Sequence, residues 1–229
     1  SLNAVPRASA ATTLYSSHLT IMPEVYYSEL NLVNPNNADV VATLAPYTKD
    51  GAAMVAPFNV TIPANRVVTL RDSQLGLPAG STTDGWLKVT CPSPILGALT
   101  FGDPDGDLYM STLRLQSTGA TDIYFPQVAN GNVGGVDFFT GFSVMNPNNA
   151  WVDFTIEILG SDGTLYGSLN RTLRPYEKYA RLLQTMESIG ASLPAQSSGY
   201  IHITATQPVC AFELFGDTSL NFLSAVPNQ

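Results

Sequence analysis

The sequence predicts an all-β protein of two tandem antiparallel β-sandwich domains related by internal duplication, and three observations predict it. The pentapeptide Asn34-Pro35-Asn36-Asn37-Ala38 recurs letter for letter as Asn146-Pro147-Asn148-Asn149-Ala150, 112 positions later. That spacing is too long for a solenoid period and suits a duplicated small domain. Short runs of residues alternate apolar with polar at period two. Asp-Gly, Asn-Pro and isolated prolines punctuate those runs about every eight to twelve residues, the rhythm of a sandwich more than a barrel.

The match continues beyond the pentapeptide. At the same offset Asp50-Gly51 falls on Asp162-Gly163 and Pro63 on Pro175. At an offset of 114, Gly85-Trp86-Leu87-Lys88-Val89-Thr90 aligns with Gly199-Tyr200-Ile201-His202-Ile203-Thr204, and Phe101-Gly102-Asp103 with Phe215-Gly216-Asp217. The drift of two places a length change between Arg66 and Gly85, in a loop, where insertions settle. The expected organisation is an N-terminal arm at 1–13, a first repeat at 14–116, a linker at 117–122 and a second repeat at 123–229.

Taken in order, residues 1–13 are rich in Ala, Ser and Thr without periodicity, so they read as an arm, which could also be donated as a strand to a neighbour. From Tyr26 the period-two pattern sets Leu30 and Leu32 against Glu29 and Asn31, and it stops at Asn-Pro, which suits a tight connection. In the next strand Val152, Phe154, Ile156 and Ile158 alternate with Asp153, Thr155 and Glu157, and Val40, Ala42 and Leu44 repeat the pattern. Asp50-Gly51 and Asp162-Gly163 then supply the positive φ of a hairpin turn. Strands follow at 58–62 and 165–173, then at 66–70 and 178–183. Residues 184–192 hold at most one helical turn. Leu87 and Val89 point inward with Ile201 and Ile203, while Trp86, Lys88 and Thr90 face outward with Tyr200, His202 and Thr204. In the closing strands the copies disagree on phase, Leu99 and Phe101 competing with Phe212 and Leu214.

Composition narrows the function. Charged residues make up 12% of the chain and only Lys49, Lys88 and Lys178 are lysines, a profile of exported β proteins whose surfaces use hydroxyls and amides. The net charge of −8 with no basic cluster argues against nucleic acid and anionic lipid as partners. No apolar run is long enough to span a membrane, and no leader pattern opens at Ser1. Cys91 faces Ala205 and Cys210 faces Leu96 in the alignment, so no disulfide is inherited by each repeat. Two separate buried thiols are expected, with a single bridge left open.

Candidate chemistry is sparse. The only histidines are His18 and His202; the second lies on an outward phase that Lys88 fills in the other copy, which argues against a shared hydrolytic base. No nucleophile elbow, phosphate loop or Cys/His metal spacing is present, so no catalytic residue is assigned and no enzyme expected. Asp103, Asp105 and Asp107 alternate in a turn and resemble the opening of a calcium loop, but the second copy lacks the pattern and a solvated loop is the plainer reading. No other cofactor is expected. Trp86, Tyr200, Tyr26 and Tyr27 are candidates to stack on sugar rings or anchor a protein, against the alternative that they are buried. Asn59-Val60-Thr61 and Asn170-Arg171-Thr172 fit the glycosylation sequon, but at an offset of 111 they fall out of step with the alignment and read as incidental.

The order from Tyr124-Phe125-Pro126 through the Asn-Pro strand end, the Asp-Gly hairpin, the Gly-aromatic strand and the closing Ala225-Val226-Pro227 resembles the tandem β-sandwich repeats of secreted and surface-anchored bacterial proteins. The resemblance implies an extracellular location and a structural or adhesive role, with protein or glycan partners at the cell surface. Two further readings stand beside it. One is a carbohydrate-binding module using the aromatics; the other is a filament subunit, a homo-oligomer joined through the N-terminal arm.

Overall fold

A computed structural model describes residues 6–22, 24–77, 82–105, 108–187, 189–190 and 193–227. The fold is nearly all β, 63% strand and 5% helix, so helices contribute nothing to the core beyond short turns such as Asp72–Leu75 and Leu183–Thr185. The chain divides into two compact units, Ser1–Thr118 and Gly119–Gln229, and each encloses an apolar cluster of its own. Leu14, Leu32, Leu44, Leu87 and Leu99 belong to the first; Ile123, Val144, Ile156, Ile201 and Ala211 belong to the second.

Each unit is one antiparallel sheet curled into two layers. In the first, the strands β4 (Phe58–Ile62), β3 (Val40–Thr48), the leading half of β6 (Thr83–Gly102) and β1 (Ala11–Ile21) form one layer. The strands β5 (Val67–Arg71), β2 (Tyr27–Val33), the trailing half of β6 and β7 (Met110–Arg114) form the other. The second unit repeats the arrangement. One layer runs β12 (Leu165–Leu173), β11 (Val152–Gly160), the leading half of β14 (Gly199–Asp217), β8 (Ala120–Phe125). The other runs β13 (Lys178–Leu182), β10 (Val136–Met145), the trailing half of β14, β15 (Leu223–Pro227), with the short β9 (Gly131–Val133) beside β10. The long strands β6 and β14 serve both layers, and period-two alternation sends one face of every strand into the core.

The repeated pentapeptide is an arch between layers rather than a tight hairpin, since β2 lies in one layer and β3 in the other. Its first asparagine is fully buried in both copies. The Asn34 amide donates to the carbonyls of Ala38 at 2.8 Å and Ile62 at 2.9 Å, and its oxygen accepts from the backbone and side chain of Asn36 at 2.9 and 2.8 Å. Asn36 in turn donates to Pro94 O at 3.0 Å, where β6 changes layer. Asn34 also reaches Pro63 O at 3.2 Å, and Asn146 and Asn148 repeat the set, to Ala150, to Arg174 in the place of Pro63, and to Pro208. One buried amide, extended by Asn36, thus ties together three layer crossings through their carbonyls.

The strand register corrects the sequence alignment. Thr43 pairs with Asn59 and Thr155 with Asn170, so the copies lose one residue within the hairpin, before the loop where the drift was expected. The two sequon asparagines are therefore at matched positions. The same shift moves the match of Pro63 to Arg174: Arg66 N donates to Pro63 O and Glu177 N to Arg174 O, closing equivalent turns in which Asn65 and Tyr176 take φ of 56° and 65°. Gly51 and Gly163 adopt φ of 87° and 84° in the Asp-Gly turns, as expected. The arm also differs from expectation, because β1 opens at Ala11, which pairs with Ile95, and Thr13 pairs with Thr90. Small residues hid that start from any hydrophobic pattern; residues 1–5 lie outside the described residues.

Candidate functional site

The outward face of the β12–β11–β14–β8 layer gathers most of the chemistry in the second unit. Inward residues Ile123, Phe125, Ile201 and Ile203 are buried, so the alternating Asp122, Tyr124, Tyr200, His202 and Thr204 must face out. Register then sets them in rows across the strands. Asp122, Thr204, Thr155 and Asn170 are successive cross-strand partners, and so are Tyr124, His202, Glu157 and Ser168.

His202 is the centre of this face. Its Nε2 lies 2.7 Å from Asp122 Oδ1 and its Nδ1 3.1 Å from Glu157 Oε2. Carboxylates only accept, so both bonds form together in the imidazolium alone. With both nitrogens engaged, the ring is a fixed strut on this face. The ring of Tyr124 stacks on it at 4.3 Å and 11°, and Tyr124 is still 43% exposed.

Beyond Tyr124 lies a groove of about 510 Å³ lined by Tyr124, Pro126, Gln127, Ser161, Ser198 and Tyr200. The two tyrosine rings are 6.3 Å apart and tilted by 33°. On the other side of the histidine the face dips into a shelf of about 630 Å³, lined by Asp153, Thr155, Asn170, Thr172, Thr204 and Thr206. Thr155 donates to Asn170 Oδ1 at 2.7 Å and Thr172 to Asp153 Oδ1 at 2.5 Å. The arrangement offers a flat apolar surface at one end and an ordered set of hydroxyls and amides at the other.

The expected aromatic site is corrected at three of its four positions. Trp86 faces outward by phase but is fully buried, because Tyr47 stacks on it at 4.2 Å and 8°. The longer β3–β4 connection lays Met54 against the neighbouring Gly85. Tyr27 is buried and carries the Arg71 guanidinium 4.0 Å over its ring. Tyr26 is half-buried against the edge of Tyr109, and both sit at the β1–β2 end, on a different layer from Trp86. Only Tyr200 reaches the open face. Tyr124 was missed; its signal was the alternation Asp122, Tyr124 against Ile123, Phe125, which marks an outward aromatic.

In the calcium candidate, Asp103 is buried and accepts the Leu108 N–H at 3.3 Å. Asp105 is exposed, and Asp107 lies outside the described residues. The matched Asp217 accepts the N–H groups of Asn221 and Phe222, so in both copies this aspartate organises its own loop. Among the described residues no three His, Cys, Asp or Glu side chains converge on a metal-sized space. Both cysteines are free and buried, and burial pushes the Cys210 thiol up to about 12.

No family model matches the sequence, and no curated protein does. Among solved structures, the crystal structure of Thermotoga maritima 1070 aligns with a TM-score of 0.37 at 17% sequence identity, covering 48% of this chain and 94% of that one.

Proposed function

We propose that the chain is an exported, non-enzymatic adhesion module that engages its target through the outward face of the β12–β11–β14–β8 layer. One observation carries the reading. The matched aromatic positions have diverged, Trp86 being sealed under Tyr47 in the first unit while Tyr200 and Tyr124 line an open groove in the second. Burying an outward tryptophan under a neighbouring strand's ring is how a surface is retired from contact; keeping two tyrosines half-exposed beside ordered hydroxyls is how one is kept available. The low lysine content and the resemblance to surface repeats support an extracellular setting. The doubly held His202 supports a binding role over a catalytic one.

The duplication provides its own control. A labelled chain spread over immobilised cell-surface glycans and matrix proteins should adhere, and Thr204→Arg on the open face should abolish adhesion. The matched change in the first unit, Thr90→Arg, should leave it intact. Equal loss in both variants, or no loss in either, would sink the proposal.

A further inference from the structure

Resting on that reading, we infer that the ligand of the open face is a neutral saccharide, seated with one pyranose ring against Tyr124 and its chain running along β14 towards Thr204. A pyranose presents an apolar C–H face and a rim of hydroxyls, and this face presents the two complements in the same order. Tyr124 and Tyr200 line the apolar groove, with Ser161, Ser198 and Gln127 around it. Thr155, Asn170, Thr204 and Thr206 line the shelf beyond. Tyr200 and Thr204 are four residues apart on one strand, about 13 Å at the usual rise, room for an oligosaccharide.

Two features select the ligand class. The Tyr124 ring is set in place by the His202 ring behind it, which is pinned by Glu157 and Asp122. The stacking surface is therefore preorganised and ordering it costs little on binding. The charge on the face is acidic: Asp122, Glu157 and Asp153 stand on it, while the basic group among them, His202, is already engaged with two carboxylates. An anionic glycan, phosphate or nucleic acid would meet a face with more carboxylates than cations. A wholly apolar ligand would leave the hydroxyl shelf unused. Carboxylates accept hydrogen bonds from sugar hydroxyls, which fits the neutral class.

The test uses the full chain and hexasaccharides of β-1,4-glucose, β-1,3-glucose, β-1,4-mannose, β-1,4-xylose and β-1,4-N-acetylglucosamine, followed by calorimetric titration and NMR. At least one should bind and shift the Tyr124, Tyr200 and His202 resonances. Tyr124→Ala should weaken it about tenfold, the loss of roughly one stacked ring, whereas Tyr124→Phe retains it and Tyr15→Ala, the matched change in the first unit, has no effect. Ser161→Arg, which fills the groove from an exposed turn, should abolish binding without moving the melting temperature; it keeps the test decisive should Tyr124→Ala fail to fold. Binding insensitive to Ser161→Arg, or no member of the panel binding at millimolar concentration, overturns the saccharide assignment. If adhesion to a protein surface then still depends on Thr204, the adhesion reading stands and only the ligand class falls; if adhesion is also lost, both fall.

Discussion

Glu213 occupies the place that Leu99 fills in the first unit. Leu99 pairs with Leu30 and Leu113, Glu213 with Phe142 and Val226. The side chain is fully buried and neither carboxylate oxygen has a hydrogen-bond partner among the described residues. Desolvation pushes its carboxyl up to about 8, since removing the charged form from water is costly without a partner. The sign for stability follows. Below its ordinary value of 4.5 the group is neutral in both folded and unfolded chains. As pH rises from there to about 8 only the unfolded chain ionises, so the second unit loses roughly 1.4 kcal/mol per pH unit. Glu213→Leu should raise the second unit's melting temperature at pH 5 and by more at pH 8, flattening that slope; an unchanged slope would refute the assignment. Glu187 acts in the opposite sense. The Tyr179 hydroxyl and the Arg171 guanidinium hold it down to about 2, so its contribution is present above pH 4.5 and lost as pH falls towards 2. The conflicting phases of Leu99 and Phe212 were legible in the sequence, but their resolution was not: alternation cannot announce that a core position has been given to a carboxylate.

At the scale of elements, the layer crossings are held by polar atoms and the layers by apolar ones. Asn34→Ala or Asn146→Ala would remove a buried amide that bonds at least two part-buried or buried carbonyls and the next asparagine, and each should cost about 2–4 kcal/mol in denaturant unfolding. Asn37→Ala, at an exposed position of the same arch, should cost less than about 0.5 kcal/mol. Equal effects would mean that the pentapeptide is held by turn propensity alone. The recurrence of those five letters was the clearest signal in the chain, because a buried amide with this many partners tolerates no substitute. The hairpin beyond it was misread for the converse reason. A single missing residue in an exposed turn leaves packing undisturbed and no trace in composition, yet it shifts every later match, and so hid the equivalence of Asn59 and Asn170. The burial of Trp86 was unreadable likewise, since its outward phase is correct and the cover comes from a neighbouring strand's Tyr47.

For the whole molecule, duplication gave two cores that need not stay alike. The first closes its curl with apolar Val60 and Val68 packed against its core. At the matched positions the second uses Arg171 and Tyr179, joined through Glu187. It also carries the buried Glu213 and the open aromatic face. The all-β class and the repeat were legible from period two and turn chemistry, which report local geometry; the division of labour between copies was not, because it lies in which outward residues a neighbouring side chain happens to cover. The central claim, two separately cored copies that have diverged in the second, is tested most directly by scanning calorimetry of the full chain at pH 5 and pH 8. The account predicts two unfolding transitions, one of which falls in temperature at the higher pH while the other holds. A single transition, or two that move together, would contradict it.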